Sequence, residues 1–230
     1  MYKLVVFDLD DTLAAVGEAA LSETLALIKN IEKTGVNIAV CSGKPVYYLC
    51  GFMRQAGIKN IIMVGENGAV VQFGTSLPPK RFAFFPYLAE ADNEISFLKK
   101  EIDKLIPDIW YQPNQVALTP FPRSEEEFDI IMGCIDSCRE KISHLTVYRH
   151  CDSIDITPSE ITKYTGLKHL SDITGVKPEE MIAVGDGVND YPMFEFAKYR
   201  VGVNVKHPEA VDKNFKTIKE ALKHVCEVIK

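Results

Sequence analysis

Long apolar stretches are missing from this chain. Runs such as Leu4 to Phe7 and Ile61 to Val64 are far shorter than the ~20 residues a membrane span needs, so no membrane association is expected. Positive charge is also in short supply. The 26 Lys and Arg face 32 Asp and Glu, for a formal charge of −6 and no basic block. Phosphate backbones demand clustered Lys and Arg, so nucleic acid is excluded as a general partner. The six cysteines (41, 50, 134, 138, 151, 226) are scattered and form no CxxC pair, which argues against a zinc site. No GxGxxG follows a strand-like run, which removes the dinucleotide-dependent oxidoreductases. A leader pattern is absent too, because Met1-Tyr2-Lys3 runs straight into a strand signal. The expectation is a cytoplasmic protein with reduced thiols.

What remains is ordinary globular material: 230 residues, 47% apolar and 25% charged, without repeats or low-complexity segments. That length fits one large domain, or one domain carrying an insertion. Leu4 to Phe7, Val36 to Cys41, Ile61 to Val64 and Met181 to Val184 read as strands buried on both faces. Helical patterns lie between them. Leu21, Leu25 and Ile28 form one stripe, with Gly35 as the stop. A second helix is predicted from Pro45 to just before Gly57, and a third carries Leu167, Leu170 and Ile173 and ends at Gly175. The alternation predicts an α/β fold with a doubly wound, Rossmann-like parallel sheet. The rhythm breaks between Pro78-Pro79 and Pro158. There, two amphipathic helices (Ile95 to Leu105, and Phe128 to Cys138) sit among strand-like runs, including Arg81 to Phe85 and Ser153 to Thr157. Residues 80–155 are therefore expected to be an inserted α+β module, and residues 1–79 and 156–230 the core.

Four places carry chemistry. Asp8 and Asp10 follow the first strand, where the two-residue spacing sends them to one side. Gly185-Asp186-Gly187-Val188-Asn189-Asp190 follows the Met181 strand. Ligands of open α/β sheets bind beyond the carboxyl ends of the strands. Carboxylates gathered there repel by ~4 kcal/mol per pair at ~4 Å and need a cation; an all-oxygen donor set suits Mg²⁺. Ser42 and Gly43 follow a third strand and open a helix, which makes an anion-binding corner. Lys163 opens another helix. Taken singly, each has a plain structural explanation, such as an Asp-rich turn or a solvated lysine.

The order of the four motifs says more. DLDDTL, then Ser42, then Lys163, then GDGVND resembles the haloacid dehalogenase-like hydrolase superfamily, in a match that spans residues 8 to 190. An insertion between the Ser and Lys motifs is similar to the type II cap subfamily, and GDGVNDYPMF resembles its type IIB form. The insertion's length resembles the small-cap phosphatases, such as the archaeal-type phosphoglycolate and sucrose phosphatases. The resemblance implies a Mg²⁺-dependent phosphatase of a small phosphorylated metabolite, a sugar phosphate or a phosphoglycolate-like acid, working through an aspartyl-phosphate. It implies that Asp8 is the nucleophile and Asp10 the general acid and base. Ser42, Gly43, Lys163 and Asn189 would bind the phosphoryl group. Asp8, Asp10 (through its main-chain carbonyl), Asp186 and Asp190 would hold or orient the metal. Asp11 stands where many type II members have Gly, and Asn67 belongs to a segment similar to the ENGA of type IIB members. In the cap, Phe121, Arg123, Arg149 and His150 are candidates to face substrate, and an arginine could pair with a substrate carboxylate. Two other readings stay open: a phosphosugar mutase, and a non-catalytic phospho-aspartate switch. A monomer or homodimer is expected.

Overall fold

Four bulky apolar residues in a row suit a strand covered on both faces. Leu4–Phe7 forms such a strand, β1, in a computed structural model that describes residues 1–230. It is followed by α1 (Ser22–Lys33), β2 (Asn37–Cys41), α2 (Val46–Gln55), β3 (Ile61–Gly65), β4 (Val70–Phe73) and β5 (Arg81–Phe84). The middle of the chain contains α3 (Glu90–Leu105), β6 (Trp110–Tyr111), β7 (Pro120–Phe121), α4 (Glu125–Ser137), β8 (Leu145–Arg149) and β9 (Ile154–Pro158). The rest contains α5 (Lys163–Thr174), β10 (Met181–Gly185), α6 (Tyr191–Phe196), β11 (Tyr199–Val203), β12 (Lys213–Phe215) and α7 (Ile218–Val228). No helix is long and apolar enough to cross a membrane.

The chain forms two units, Met1–Phe85 with Thr162–Lys230, and Pro86–Ile161. Both crossings lie a few residues later than the expected 79/80 and 155/156. The run Arg81 to Phe85 does not join the insertion: β5 pairs antiparallel with β4, Ala83 opposite Val71, and extends the larger sheet. At the other crossing β9 pairs with β8 along its whole length, from Ile154 to Pro158, and so stays with the smaller unit.

The larger unit is an eight-stranded sheet in the order β12-β11-β10-β1-β2-β3-β4-β5. The six strands from β12 to β3 are parallel. The expected all-parallel sheet is corrected at one edge, where β4 and β5 run antiparallel. The one-turn link Glu66–Gly68 between β3 and β4 is too short for a parallel crossover. The α1 stripe also differs from expectation. The buried face is Thr24, Ile28 and Ile31, turned toward the sheet and α7, while Leu21 is the helix N-cap and 69% exposed. α5 ends as predicted, at Gly175, whose φ of +72° is the left-handed cap glycine favours.

β1 is central, and the strand order reverses on either side of it. Its last residue, Phe7, is level with Val40 of β2 and Val184 of β10. Asp8, Ser42 and Asp186 therefore leave the sheet close together, at the switch point where α/β sheets bind ligands.

In the smaller unit α3 and α4 pack Leu98, Ile102, Phe128, Ile131 and Ile135 against Leu118, Ile154 and Ile156. Ser124 caps α4 by accepting a hydrogen bond from the Glu127 N–H at 3.2 Å. The Glu127 carboxylate accepts from the Arg123 N–H at 2.7 Å, so no reciprocal capping box closes there.

Candidate active site

The centre of the site is a buried ion cluster. α5 begins at Thr162, whose hydroxyl accepts from the Thr165 N–H at 3.2 Å while the Thr165 hydroxyl accepts from the Thr162 N–H at 2.9 Å. This reciprocal cap fixes Lys163 in the first turn. The Lys163 ammonium donates to Asp8 Oδ1 and to Asp190 Oδ1, both at 2.6 Å, and all three side chains are buried. Asp190 Oδ2 accepts from the N–H groups of Asp186 and Gly187, at 2.9 and 3.2 Å. That packing requires glycine at 185, where a Cβ would collide with the Asp190 carboxylate. Asp186 is held by the Thr12 hydroxyl, which donates to its Oδ1 at 3.1 Å.

One carboxylate oxygen from each of Asp8, Asp186 and Asp190 lies within 4.8 Å of the others. Three carboxylates against one ammonium leave a formal deficit of two positive charges. The titration behaviour reflects it. Burial pushes the Asp8 carboxyl up to about 8; Asp190 and Asp186 add to the rise, and Lys163 opposes it. Burial and Asp190 push Asp186 up to about 6, against the Thr12 hydrogen bond. Burial works against the Lys163 charge, but Asp190 and Asp8 outweigh it and hold the ammonium above its ordinary range. The neighbouring Cys41 thiol is pushed up to about 12 by burial, so it stays neutral. All-oxygen donors with a two-charge deficit fit a hard divalent cation.

The other predicted residues are placed as follows. The Asp10 carboxylate lies outside the 4.8 Å group and sits 3.6 Å from the Lys44 ammonium, both partly exposed. Ser42 is buried at the end of β2, and its hydroxyl accepts from the Lys44 N–H at 3.2 Å, shaping the Ser42-Gly43-Lys44 turn. Asn189 is exposed and is not one of the Lys163 partners; that contact belongs to Asp190. Asp11 adopts φ +56°, donates its N–H to Ala14 at 2.7 Å and accepts from the Val16 N–H at 3.4 Å, so it organises its own turn.

Two of the cap candidates take part in ion pairs within the smaller unit. Arg123 is clamped by Asp108 at 2.7 and 3.0 Å and by Glu127 at 2.8 Å. Arg149 pairs with Glu125 at 2.6 Å and lies over the Phe128 ring. Both are partly exposed surface ion pairs. Phe121 packs edge-on against Trp110.

Sequence reasoning missed the glycine pair that seats Lys163. Glu66, Asn67 and Gly68 all have positive φ, at +53°, +56° and +117°. This tight turn donates the N–H groups of Glu66 and Asn67 to the carbonyls of Lys44 and Ser42, at 3.1 and 3.0 Å. Its other side meets α5 with bare Cα atoms: a Cβ on Gly68 would lie 2.7 Å from the Thr162 carbonyl, and one on Gly166 would strike Gly68. The anion corner and the lysine are thus braced by one turn. The signal lay in two glycines almost a hundred positions apart, which no local pattern connects.

The chain resembles known proteins over nearly its whole length. The family model of the haloacid dehalogenase-like hydrolases matches residues 5–78 and 87–226. A phosphoglycolate phosphatase from Methanosarcina acetivorans is 26% identical over 98% of this chain and 90% of its own. The crystal structure of a haloacid dehalogenase-like hydrolase from Bacteroides thetaiotaomicron superposes with TM-score 0.81 at 18% identity, covering 98% of this chain and 100% of that one. A sugar phosphatase of haloacid dehalogenase subclass IIB superposes with TM-score 0.71 at 20% identity, covering 99% and 100%. These structural likenesses establish the fold, including the inserted cap.

Proposed function

The chain belongs to the haloacid dehalogenase-like hydrolases, and from that premise we propose that it is a phosphoric monoester hydrolase acting on a small phosphorylated metabolite through a phosphorylated Asp8. The observation that carries the reading is the buried Asp8 carboxylate, held by Lys163 at 2.6 Å beside two further acids. A carboxylate attacks a phosphoryl group only where the phosphate's own charge is offset.

Asp8, Asp186 and Asp190, with the main-chain carbonyl of Asp10, would hold or orient a divalent cation, Mg²⁺ by the donor set. A cation bound there would supply positive charge that keeps Asp8 ionised and offsets the charge on the phosphoryl oxygens. Lys163 fixes Asp8 Oδ1 and leaves Oδ2 for attack. Ser42 and the Gly43 backbone hold phosphoryl oxygens. As the bond from Asp8 to phosphorus forms, the ester bond breaks and its electron pair goes to the leaving oxygen. Asp10, partly exposed, gives that oxygen its proton. The Asp10 carboxylate then takes a proton from water, whose oxygen attacks phosphorus. Inorganic phosphate leaves and both aspartates are restored.

The test is release of inorganic phosphate from a generic aryl phosphate with Mg²⁺ present. Wild-type protein is expected to turn over, EDTA to stop it reversibly, and Asp8→Asn to abolish it. Undiminished turnover in Asp8→Asn protein overturns the reading. An isomerised sugar phosphate in place of free phosphate points to the mutase, and a phosphoprotein that persists for minutes points to the switch.

A further inference from the structure

Asp11 holds a backbone conformation, φ +56°, that glycine adopts freely and most L residues adopt at a cost. The turn alone does not call for an aspartate there. Its backbone is fixed by the N–H that it donates to Ala14 at 2.7 Å, which almost any residue supplies. The carboxylate accepts one long bond, from the Val16 N–H at 3.4 Å, and an asparagine oxygen would accept it equally. The side chain is exposed. Nothing in the turn makes use of its negative charge.

The position of the carboxylate supplies a reason. Asp11 and Asp186 border one cleft of about 400 Å³, together with Asn204, Lys216 and Thr217. The next residue, Thr12, donates its hydroxyl to Asp186 Oδ1, so two consecutive side chains flank the same acid. The Asp11 charge is felt there: burial and Asp190 do most to push the Asp186 carboxyl up, and Asp11 adds to them. Asp11 is thus a fourth negative charge beside a group already short of two positive ones, and without a cation it is repulsive. Lys216 is the one cationic residue bordering the cleft, and it is exposed. An acid repelled by its neighbours destabilises the fold unless positive charge arrives between them.

We propose that Asp11 is a positioning residue for the divalent cation: from outside the ligand group it adds negative charge to the cation's field and, across the cleft, accepts hydrogen bonds from water that the cation holds. The inference rests on the cation site proposed above at Asp8, Asp186 and Asp190, and it adds a residue that is not one of the ligands. Mg²⁺ dehydrates reluctantly and keeps several waters, so an acid one water away contributes to its binding. The cleft leaves room for such water beside Asp186. A carboxylate suits the role better than an amide, because it only accepts and does so with full charge.

The experiment measures Mg²⁺ affinity, by calorimetry and by the Mg²⁺-dependent rise in Tm, for wild type, Asp11→Asn, Asp11→Gly and Glu227→Gln. Asparagine and glycine both accept the positive φ, so the turn survives in each variant. Glu227 lies near the other end of α7 from Thr217, about 15 Å along the helix, and its variant removes an equal charge as a control. The expected result at low ionic strength is a Mg²⁺ Kd raised about three- to tenfold in both Asp11 variants and unchanged in Glu227→Gln. In about 0.5 M KCl the rise should narrow, because salt screens charge and leaves shape alone. In EDTA both Asp11 variants should melt no lower than wild type, which separates weaker binding from a damaged fold. An unchanged Kd in Asp11→Asn, an equal rise in Glu227→Gln, or a rise that salt leaves undiminished overturns the proposal, as does a lower Tm in EDTA for both variants. Failure of the cation site itself looks different, since wild-type protein would then show neither heat nor a rise in Tm with Mg²⁺, and both readings fall.

Discussion

The charge deficit at the site predicts that Asp8→Asn, while removing activity, stabilises the metal-free protein. Folding moves the Asp8 carboxyl from its ordinary 3.8 to about 8. Between those values the folded state keeps a proton that the unfolded state has lost. Stability therefore falls as pH rises through that window and levels off above it. At about 1.4 kcal/mol per pH unit, some three units separate 3.8 from neutrality, so the loss by pH 7 is about 4 kcal/mol. That is a large fraction of a typical ~5–15 kcal/mol total. Asparagine is neutral at every pH, and its Oδ1 can accept the same Lys163 hydrogen bond. The net gain in EDTA near pH 7.5 is then about 2–4 kcal/mol, or roughly 5–10 °C in Tm for a chain of this size. It should shrink to about 1–2 kcal/mol at pH 5. Asp186 contributes in the same direction but less, because solvent screens it. Saturating Mg²⁺ should recover the wild type, by ~2.7 kcal/mol at a hundredfold excess over Kd, and the variant much less. Thermal melts at both pH values, with EDTA and with Mg²⁺, check all of this. An Asp8→Asn protein less stable than wild type in EDTA at pH 7.5, or a gap that ignores pH, refutes the reasoning.

Further expectations concern the turn and the cap. Gly166→Ala drives a methyl into Gly68 and must displace the first turn of α5. It should cost ~1–3 kcal/mol of stability and lower kcat roughly ten- to hundredfold by moving Lys163. Gly133→Ala in α4, where a Cβ meets nothing within 4 Å, should be neutral or stabilise by up to ~1 kcal/mol; melts and steady-state kinetics on both compare them. In the smaller unit, the Glu94 carboxylate 2.6 Å from His144 Nδ1 raises the imidazole above its ordinary 6.5. The stability this pair provides is complete below 6.5 and is lost as pH rises through the folded value. Glu94→Gln should flatten that slope in urea melts between about pH 6 and 8; an unchanged slope removes the pair as its source.

Residue chemistry explains which parts of this molecule were legible in the sequence. β1, β2, β3 and β10 are uninterrupted apolar runs, and acids directly after such runs have few places to go. The structure brings Asp8, Asp186, Asp190 and Lys163 together as that pattern suggested. β11 was illegible because Tyr199-Arg200-Val201-Gly202-Val203 mixes polar and apolar residues, and β12 is three residues of edge strand. β5 follows a proline pair that looked like a boundary, and only its pairing with β4 returns it to the core. The ion pairs of the cap arginines were not legible because an arginine's partner depends on tertiary neighbours. Arg123 finds Asp108 fifteen positions away, and Arg149 finds Glu125 twenty-four away.

Burial is the quantity that local pattern conveys least, and it separates Asp8 and Thr157 from ordinary surface chemistry. Ile154-Asp155-Ile156-Thr157 alternates cleanly enough to announce a strand with one apolar face, but alternation says nothing of whether the other face meets water. The same holds for Asp8. Its position after β1 is plain, yet its character comes from full burial beside two carboxylates with a single ammonium among them. In each place the protein keeps polar groups dry without satisfying them internally: two positive charges are missing around Asp8, and a hydrogen-bond partner is missing at Thr157. Selection for stability alone would replace such groups with neutral or apolar ones of similar shape. Groups that stay buried and unsatisfied are where a ligand would complete the structure, as a divalent cation would among the acids around Asp8.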